Sequence, residues 1–292
     1  MTATALQAPG EAGPRKRSLV RQALRNPAVI AGGGILVACV AIAVLAPLLA
    51  PADPQFIEVT KRLKPPGDAF RLGTDQFGRD IYSRVIYGAR VSLFIGFAVA
   101  ALSIVIGTLI GLVSGYVRWV DAVVMRMMDG LMAIPGILLA IALIAVSGAS
   151  LTTVIVAITI PDIPRIVRLV RSVVLSIREE PYVEAAIALG TPVWRILLFH
   201  VLPNTVAPLI VQGTFIAASA ILVEAGLSFL GAGIPPETPT WGNVMAEGRQ
   251  YFRLAPWIIL FPGIMLSVTV LAVNIMGDGL RDTLDPRLAK RV

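Results

Sequence analysis

Six stretches of this chain run almost without charge: Ala28–Ala50, Val91–Val117, Leu131–Ser147, Leu151–Ile166, Val206–Leu230 and Ala255–Ile275. A helix of about 20 apolar residues crosses the roughly 30 Å of a bilayer's hydrocarbon. Inside that layer every backbone N–H and C=O must be satisfied without water, which leaves helices or a closed barrel. Barrel strands alternate apolar and polar residues, whereas these runs are solidly apolar. Composition agrees, with 56% hydrophobic and only 15% charged residues and a mean hydropathy of +0.81. Soluble domains carry about 25% charge, and disordered chains lack such apolar content. The expected fold is therefore an all-α polytopic membrane protein with six transmembrane helices. The third and fourth segments contain breakers, Pro135-Gly136 in one and Pro161 and Pro164 in the other.

Lysine and arginine beside the spans set orientation. With the N-terminus inside, cytoplasmic pieces hold 16 basic and 9 acidic residues, and outer pieces 9 and 7. That asymmetry predicts N-in and C-in. The formal net charge of +7 is then a property of the cytoplasmic face, and nucleic acid drops out as a partner. The chain divides into an N-terminal tail (1–27), a first span (28–50), an outer loop (51–90), a five-helix core (91–277) and a C-terminal tail (278–292). The apolar stretch after Arg15, Lys16, Arg17, Arg21 and Arg25 is too long for a signal-peptide core, so an uncleaved anchor is expected.

The cytoplasmic stretch 165–204 is too long to be a mere connector. Arg165, Arg168 and Arg171 recur every third residue, along one helix face. Pro181 opens a short helix, with Glu179, Glu180 and Glu184 near its N-terminus and Gly190 suited to its C-terminal cap. Thr191 is the expected N-cap of a second helix, which Pro203 should end. The spacing Glu184-Ala185-Ala186, Gly190, Leu202-Pro203 resembles the coupling-loop signature of ABC importer permeases. It departs from the general pattern at His200, where that pattern has Ile, and the peptide-importer branch has a similar His before V-L-P-N. The resemblance implies a type I importer core, as in methionine importers, moved by a cytoplasmic ATPase that docks on this loop. Ala185, Ala186 and Gly190 would give close contact and Glu184 a charged anchor. His200 is expected to pack at the interface.

Three further blocks resemble the same dipeptide/oligopeptide branch. In Leu72–Leu93, Gly73, Asp75, Gly78 and Asp80 read as tight turns, with Arg79, Arg84 and Arg90 before the second span. In Val223–Met245, Glu224 stands within an apolar run, where an ionisable group is a functional candidate. Glu224 and Ser228 are expected at the translocation path or in an intramembrane polar contact. In Asn274–Leu288, Gly277 and Gly279 should allow a bend, leaving Arg281, Asp282, Asp285 and Arg287 solvated. Gly107, Gly111 and Gly115 permit close helix contact. The methionines Met125, Met127, Met128 and Met132 are expected to fill gaps rather than bind metal.

No catalytic or metal site is expected in this chain. The single Cys39 rules out a disulfide within it, and no G-x-x-x-x-G-K-[ST] phosphate loop occurs. The resemblance implies ATP and Mg on partner ATPase subunits and none bound here. It also implies a homologous second permease subunit, two cytoplasmic ATPase subunits, an extracytoplasmic substrate-binding protein and a bacterial cytoplasmic membrane around them. Dipeptides and oligopeptides lead as cargo, with nickel chelates, glutathione or haem as alternatives. The rival class is an ion-coupled secondary transporter or channel, which favours midplane carboxylates and inverted repeats; only Asp162 and Glu224 stand within spans.

Overall fold

The computed structural model describes residues 22–284, and among them the chain is helical, with a lone β-bridge between Thr74 and Asp80. Helix α1 (Pro27–Val44) starts where the Asn26 side chain accepts the Ala28 N–H. A single turn, Ala46–Leu49, leads into the loop before α2 (Ile81–Tyr116). At the α-helical rise α2 is about 54 Å long, well beyond the roughly 30 Å of hydrocarbon. Helices α3 (Arg118–Ala133) and α4 (Gly136–Ser147) are broken at Ile134-Pro135 and bent by 89°. Then follow α5 (Leu151–Ile177), α6 (Pro181–Ala188), α7 (Leu202–Phe229), α8 (Trp241–Gly248) and α9 (Trp257–Leu284).

Each of the six expected apolar segments falls on a helix. Four helical units are long and apolar enough to span: α1, α2, the run Val193–Phe229 and α9; the bent α3–α4 pair makes a fifth if counted as one. The remaining segment is in α5, whose Asp162, Arg165, Arg168 and Arg171 set it apart by composition. The count of six is compatible with this architecture.

Several limits differ from the sequence expectation, each for a local reason. Helix α2 begins at Ile81 instead of Val91, because Asp80 caps it: its Oδ2 accepts the Ser83 N–H and hydroxyl at 2.8 and 2.7 Å. Helix α5 runs through Pro161 and Pro164 to Ile177, where a break was expected near Ile166. Each proline removes one ladder bond, yet packing holds the helix in one piece. Helix α9 continues unbroken through Gly277 and Gly279 to Leu284. They are contact points instead: a Cβ on Gly277 would lie 2.2 Å from Thr214 Oγ1, and one on Gly279 would lie 2.8 Å from Val29. Asp285 and Arg287 lie outside the described residues.

Helix α2 is the spine. Gly107, Gly111 and Gly115 lie against Ile166, Val170 and Val174 of α5, where a Cβ would come within 2.5, 2.8 and 2.7 Å of those side chains. Nearer the start of α2, Gly96 lies against Ile221 and Ala217 of α7. Small residues thus let three helices approach closely where packing alone holds them. The same contacts fix the ends of the molecule. Ser83 of α2 meets Ala52 at the far end of α1, while Gly115 meets Val174, just before α6. Asn26 bonds the Gly279 carbonyl at 3.1 Å, so α1 begins and α9 ends at the same end as α6. The 51–80 loop and α8 occupy the opposite end.

Candidate functional site

At the α6 end, the knuckle expected from the sequence is built mainly by local capping. Leu189 is the C-cap and Gly190 follows with φ of +75°. The Thr191 N–H donates to the Ala186 carbonyl at 3.0 Å and the Gly190 N–H to Ile187 at 2.9 Å. This double bond pattern closes the helix and needs a left-handed residue at 190. No atom lies within 4 Å of where a Gly190 Cβ would be, so the demand there is conformational and the space is open. Glu184, Ala185 and Ala188 are exposed, whereas Ala186 and Val183 point into the protein. Ala186, expected from the sequence to give close contact, is 9% exposed.

The second half of the knuckle departs from expectation more. Thr191 is not the N-cap; Pro192 holds that place without a side-chain bond. Pro203 does not end a helix but sits in the first turn of α7, and Leu202 beside it is the C-cap of a π-helical turn, Ile196–Val201. Widening that turn to i→i+5 bonding, with the Leu202 N–H on the Leu197 carbonyl, lets the chain pass into α7 without a break. The His200 ring stacks within the chain on Tyr182, with ring centroids 6.2 Å apart. Asn204 adds a bond to the His200 carbonyl at 2.7 Å. Tyr182, Leu189, Trp194 and Phe199 form an exposed apolar surface around this knuckle, Leu189 at 86% and Phe199 at 68% exposure.

The arginine row is paired, one rung at a time. Arg165 faces Asp162 at 3.2 Å, Arg168 faces Asp129 at 2.6 Å, and Arg171 makes a two-point contact with Asp121. Two of the three rungs therefore tie α5 to α3. Of the four methionines only Met128 is buried, and Met127 and Met132 are exposed.

Glu224 is fully buried in α7. Its Oε1 accepts the Ser228 hydroxyl and the Thr240 hydroxyl, both at 2.8 Å. Thr240 in turn caps α8, accepting the Asn243 N–H at 3.0 Å. Glu224 and Ser228 are thus brought together as one intramolecular polar contact between α7 and α8.

A second buried polar group, absent from the sequence expectation, lies at the opposite end from α6. Asp75 and Arg84 are each 1% exposed, and Arg79 is 7% exposed. Asp75 Oδ1 accepts the N–H of Phe77 and of Arg79, while Oδ2 takes Arg79 Nε at 2.6 Å and Arg84 Nη1 at 3.1 Å. Glu247, from α8, pairs with Arg79 and lies 3.2 Å from Arg84. Two carboxylates and two guanidinium groups therefore balance, locking the pre-α2 turn onto α8. Gly78, at φ +78°, lies so close to the Glu58 carbonyl that no Cβ fits. The sequence showed these residues as turn formers and loop charges; the pairing across 163 or more positions has no local signal.

The comparisons with known proteins agree with this organisation. Residues 103–290 match the family model of the binding-protein-dependent transport system inner membrane component. Residues 17–66 match the N-terminal TM domain of oligopeptide transport permease C. A probable peptide ABC transporter permease of Sinorhizobium fredii is 49% identical over 291 residues, covering 100% of both chains. A dipeptide transport system permease of Alkalihalophilus pseudofirmus is 43% identical, covering 93% of this chain and 90% of that one. A glutathione transport system permease of Pectobacterium atrosepticum is 40% identical, covering 93% and 91%. In fold, a chain of the MetNI methionine ABC transporter in an inward-facing conformation aligns with a TM-score of 0.56 at 20% identity, covering 70% of this chain and 98% of that one. The chain therefore belongs to the binding-protein-dependent transport system inner membrane components: it is a multi-pass ABC transporter permease subunit, and not an enzyme.

Proposed function

We propose that this permease moves dipeptides and oligopeptides inward across the cytoplasmic membrane by alternating access, driven by two ATPase subunits, one of them docked on the knuckle around α6. The observation that carries this reading is the knuckle itself. It combines a capped, sharply turned short helix with an exposed apolar surface, at the end where the described chain both begins and finishes. The positive bias of the N-terminal sequence supports N-in and C-in. In this reading Glu184 and Ala185 contact the ATPase, Gly190 sets the turn, and Leu202-Pro203 transmit the motion into α7. Ala186 anchors α6 from within.

The cargo follows the names of the relatives, two of which are peptide or dipeptide permeases. Pore formation takes a homologous second permease, and delivery takes a binding protein on the outer side. ATP and Mg belong to the ATPase subunits. The test is reconstitution: this chain, its partner permease and the ATPases should co-purify and, with the binding protein, take up labelled dipeptide only with ATP. A single chain active in liposomes without ATP would instead establish the ion-coupled class.

A further inference from the structure

Helix α7 carries one open stripe along its length, and it runs beside an open stripe of α5. Pro208, Gln212, Phe215, Ser219 and Val223 recur every third or fourth residue, and all are half-buried. On α5, Pro161, Arg165 and Leu169 recur every fourth residue. Two cavities lie between the stripes. One of about 290 Å³ joins Pro161 and Arg165 to Ser219 and Val223, beside the break between α3 and α4. The other, of about 480 Å³, joins Leu169 to Pro208, Gln212 and Phe215, nearer the α6 end. Together they form a groove that follows α5 and α7. Its polarity sets it apart from other open surfaces of the molecule. Every exposed residue of α2 from Phe94 to Val113 is apolar, and no exposed residue of α1 carries a polar side chain, as contact with acyl chains requires. In the groove, Arg165 stands about 21 Å from the start of α5 and about 18 Å from its end, with its side chain 54% exposed. A charge so placed is costly against hydrocarbon, and such groups face the interior of a bundle or a water-filled cavity. Gln212 and Ser219 likewise stand inside the apolar run of α7. Asp162 pairs with Arg165 at 3.2 Å, so the middle of the groove is polar while its charges balance.

We propose that the groove between α5 and α7 is this subunit's wall of a water-filled route for the peptide, closed on its open side by the second permease. The proposal rests on the peptide-importer reading and names the face of this chain that the cargo passes. Balanced charge suits passage. A zwitterionic peptide meets a carboxylate and a guanidinium that already satisfy one another, so neither of its ends is held fast, and a conducting site must release what it admits. Gln212 and Ser219 offer hydrogen bonds to a peptide backbone of any sequence, and Phe215 and Val223 offer apolar contact. Glu224 and Ser228 take no part in this wall, because they bond each other and Thr240 within the chain.

The test uses Gln212→Cys, Ser219→Cys and, as a lipid-facing reference, Leu109→Cys, a position 63% exposed on α2, each in a Cys39→Ala background. The assembled importer in lipid nanodiscs is treated with a charged, membrane-impermeant methanethiosulfonate, and modification of this chain is read by mass. Gln212→Cys and Ser219→Cys should react about tenfold faster than Leu109→Cys, since reaction follows access to water. After modification, ATP-dependent dipeptide uptake in proteoliposomes should fall to background, and it should return when a reductant removes the adduct. Reaction of both groove variants at the Leu109→Cys rate overturns the proposal and makes the groove a dry contact. Complete modification that leaves uptake unchanged overturns it as the path of the peptide. If one groove variant fails to assemble, the other decides alone. Uptake by the unmodified wild-type complex is measured in parallel. Its absence removes the importer reading, whereas uptake with unreactive groove variants removes only this route.

Discussion

Removing Glu247 should destabilise this protein far more than its place near the surface suggests. The buried group holds two guanidinium ions, Arg79 and Arg84, against two carboxylates, Asp75 and Glu247. Glu247→Leu leaves both arginines facing Asp75 alone, with Arg84 1% exposed and unable to reach water. Breaking a buried pair in this way costs about 3–5 kcal/mol, because one charge remains uncompensated. Arg84→Met leaves the opposite imbalance and should cost a similar amount. Combining the two changes restores balance, since Asp75 and Arg79 keep their own contact at 2.6 Å. The double variant should therefore be more stable than the sum of the singles predicts, by roughly 2–3 kcal/mol. Unfolding in mixed micelles with rising sodium dodecyl sulfate measures this. Tryptophan emission reports on the right region, because Trp241 bonds the Val85 carbonyl and Trp257 the Thr74 carbonyl. Single variants within about 0.5 kcal/mol of wild type, or an additive double, would refute the charge-balance argument.

Other consequences follow from the helix contacts. Gly111→Ala would place a Cβ 2.8 Å from Val170 and 2.9 Å from the Val167 carbonyl, and should cost about 1–3 kcal/mol in the same assay. Gly34→Ala, with nothing within 4 Å, should be neutral or stabilising by up to roughly 1 kcal/mol; if both glycines tolerate alanine equally, α2 and α5 do not pack as described. Glu224→Ala leaves the Ser228 and Thr240 hydroxyls buried without their acceptor, and should cost about 2–4 kcal/mol and expose the 230–240 segment to protease. Glu224→Gln retains one acceptor oxygen and should cost less than half as much; equal losses in the two variants would show that the carboxylate oxygens are not what joins α7 to α8.

The apolar runs made the helices legible, because spanning segments satisfy their own backbone and leave little else to read. The knuckle was legible for a different reason: Gly190 caps α6 through bonds that reach only five residues back. What escaped were features set by distant contacts. Arg84 reads as a loop charge before a span, yet Asp75 and Glu247 neutralise it and let α2 start before it. Gly277 and Gly279 read as a hinge at the end of a helix, yet Thr214 and Val29 require their smallness within it. Pro203 reads as a stop, and the π turn before it carries the helix through. In each case the residue type signalled a constraint, and only the packed neighbour showed which one.

Gly190→Arg tests the central claim most directly. Its φ of +75° costs a residue other than glycine about 1–2 kcal/mol, which Gly190→Asn largely avoids, while the open space around it spares the membrane helices. ATP-dependent dipeptide uptake by the reconstituted complex should fall to background in the arginine variant and stay near wild type in the asparagine variant, with all subunits still co-purifying. Full uptake with Arg at 190 would contradict the assignment of this knuckle as the ATPase-coupling element.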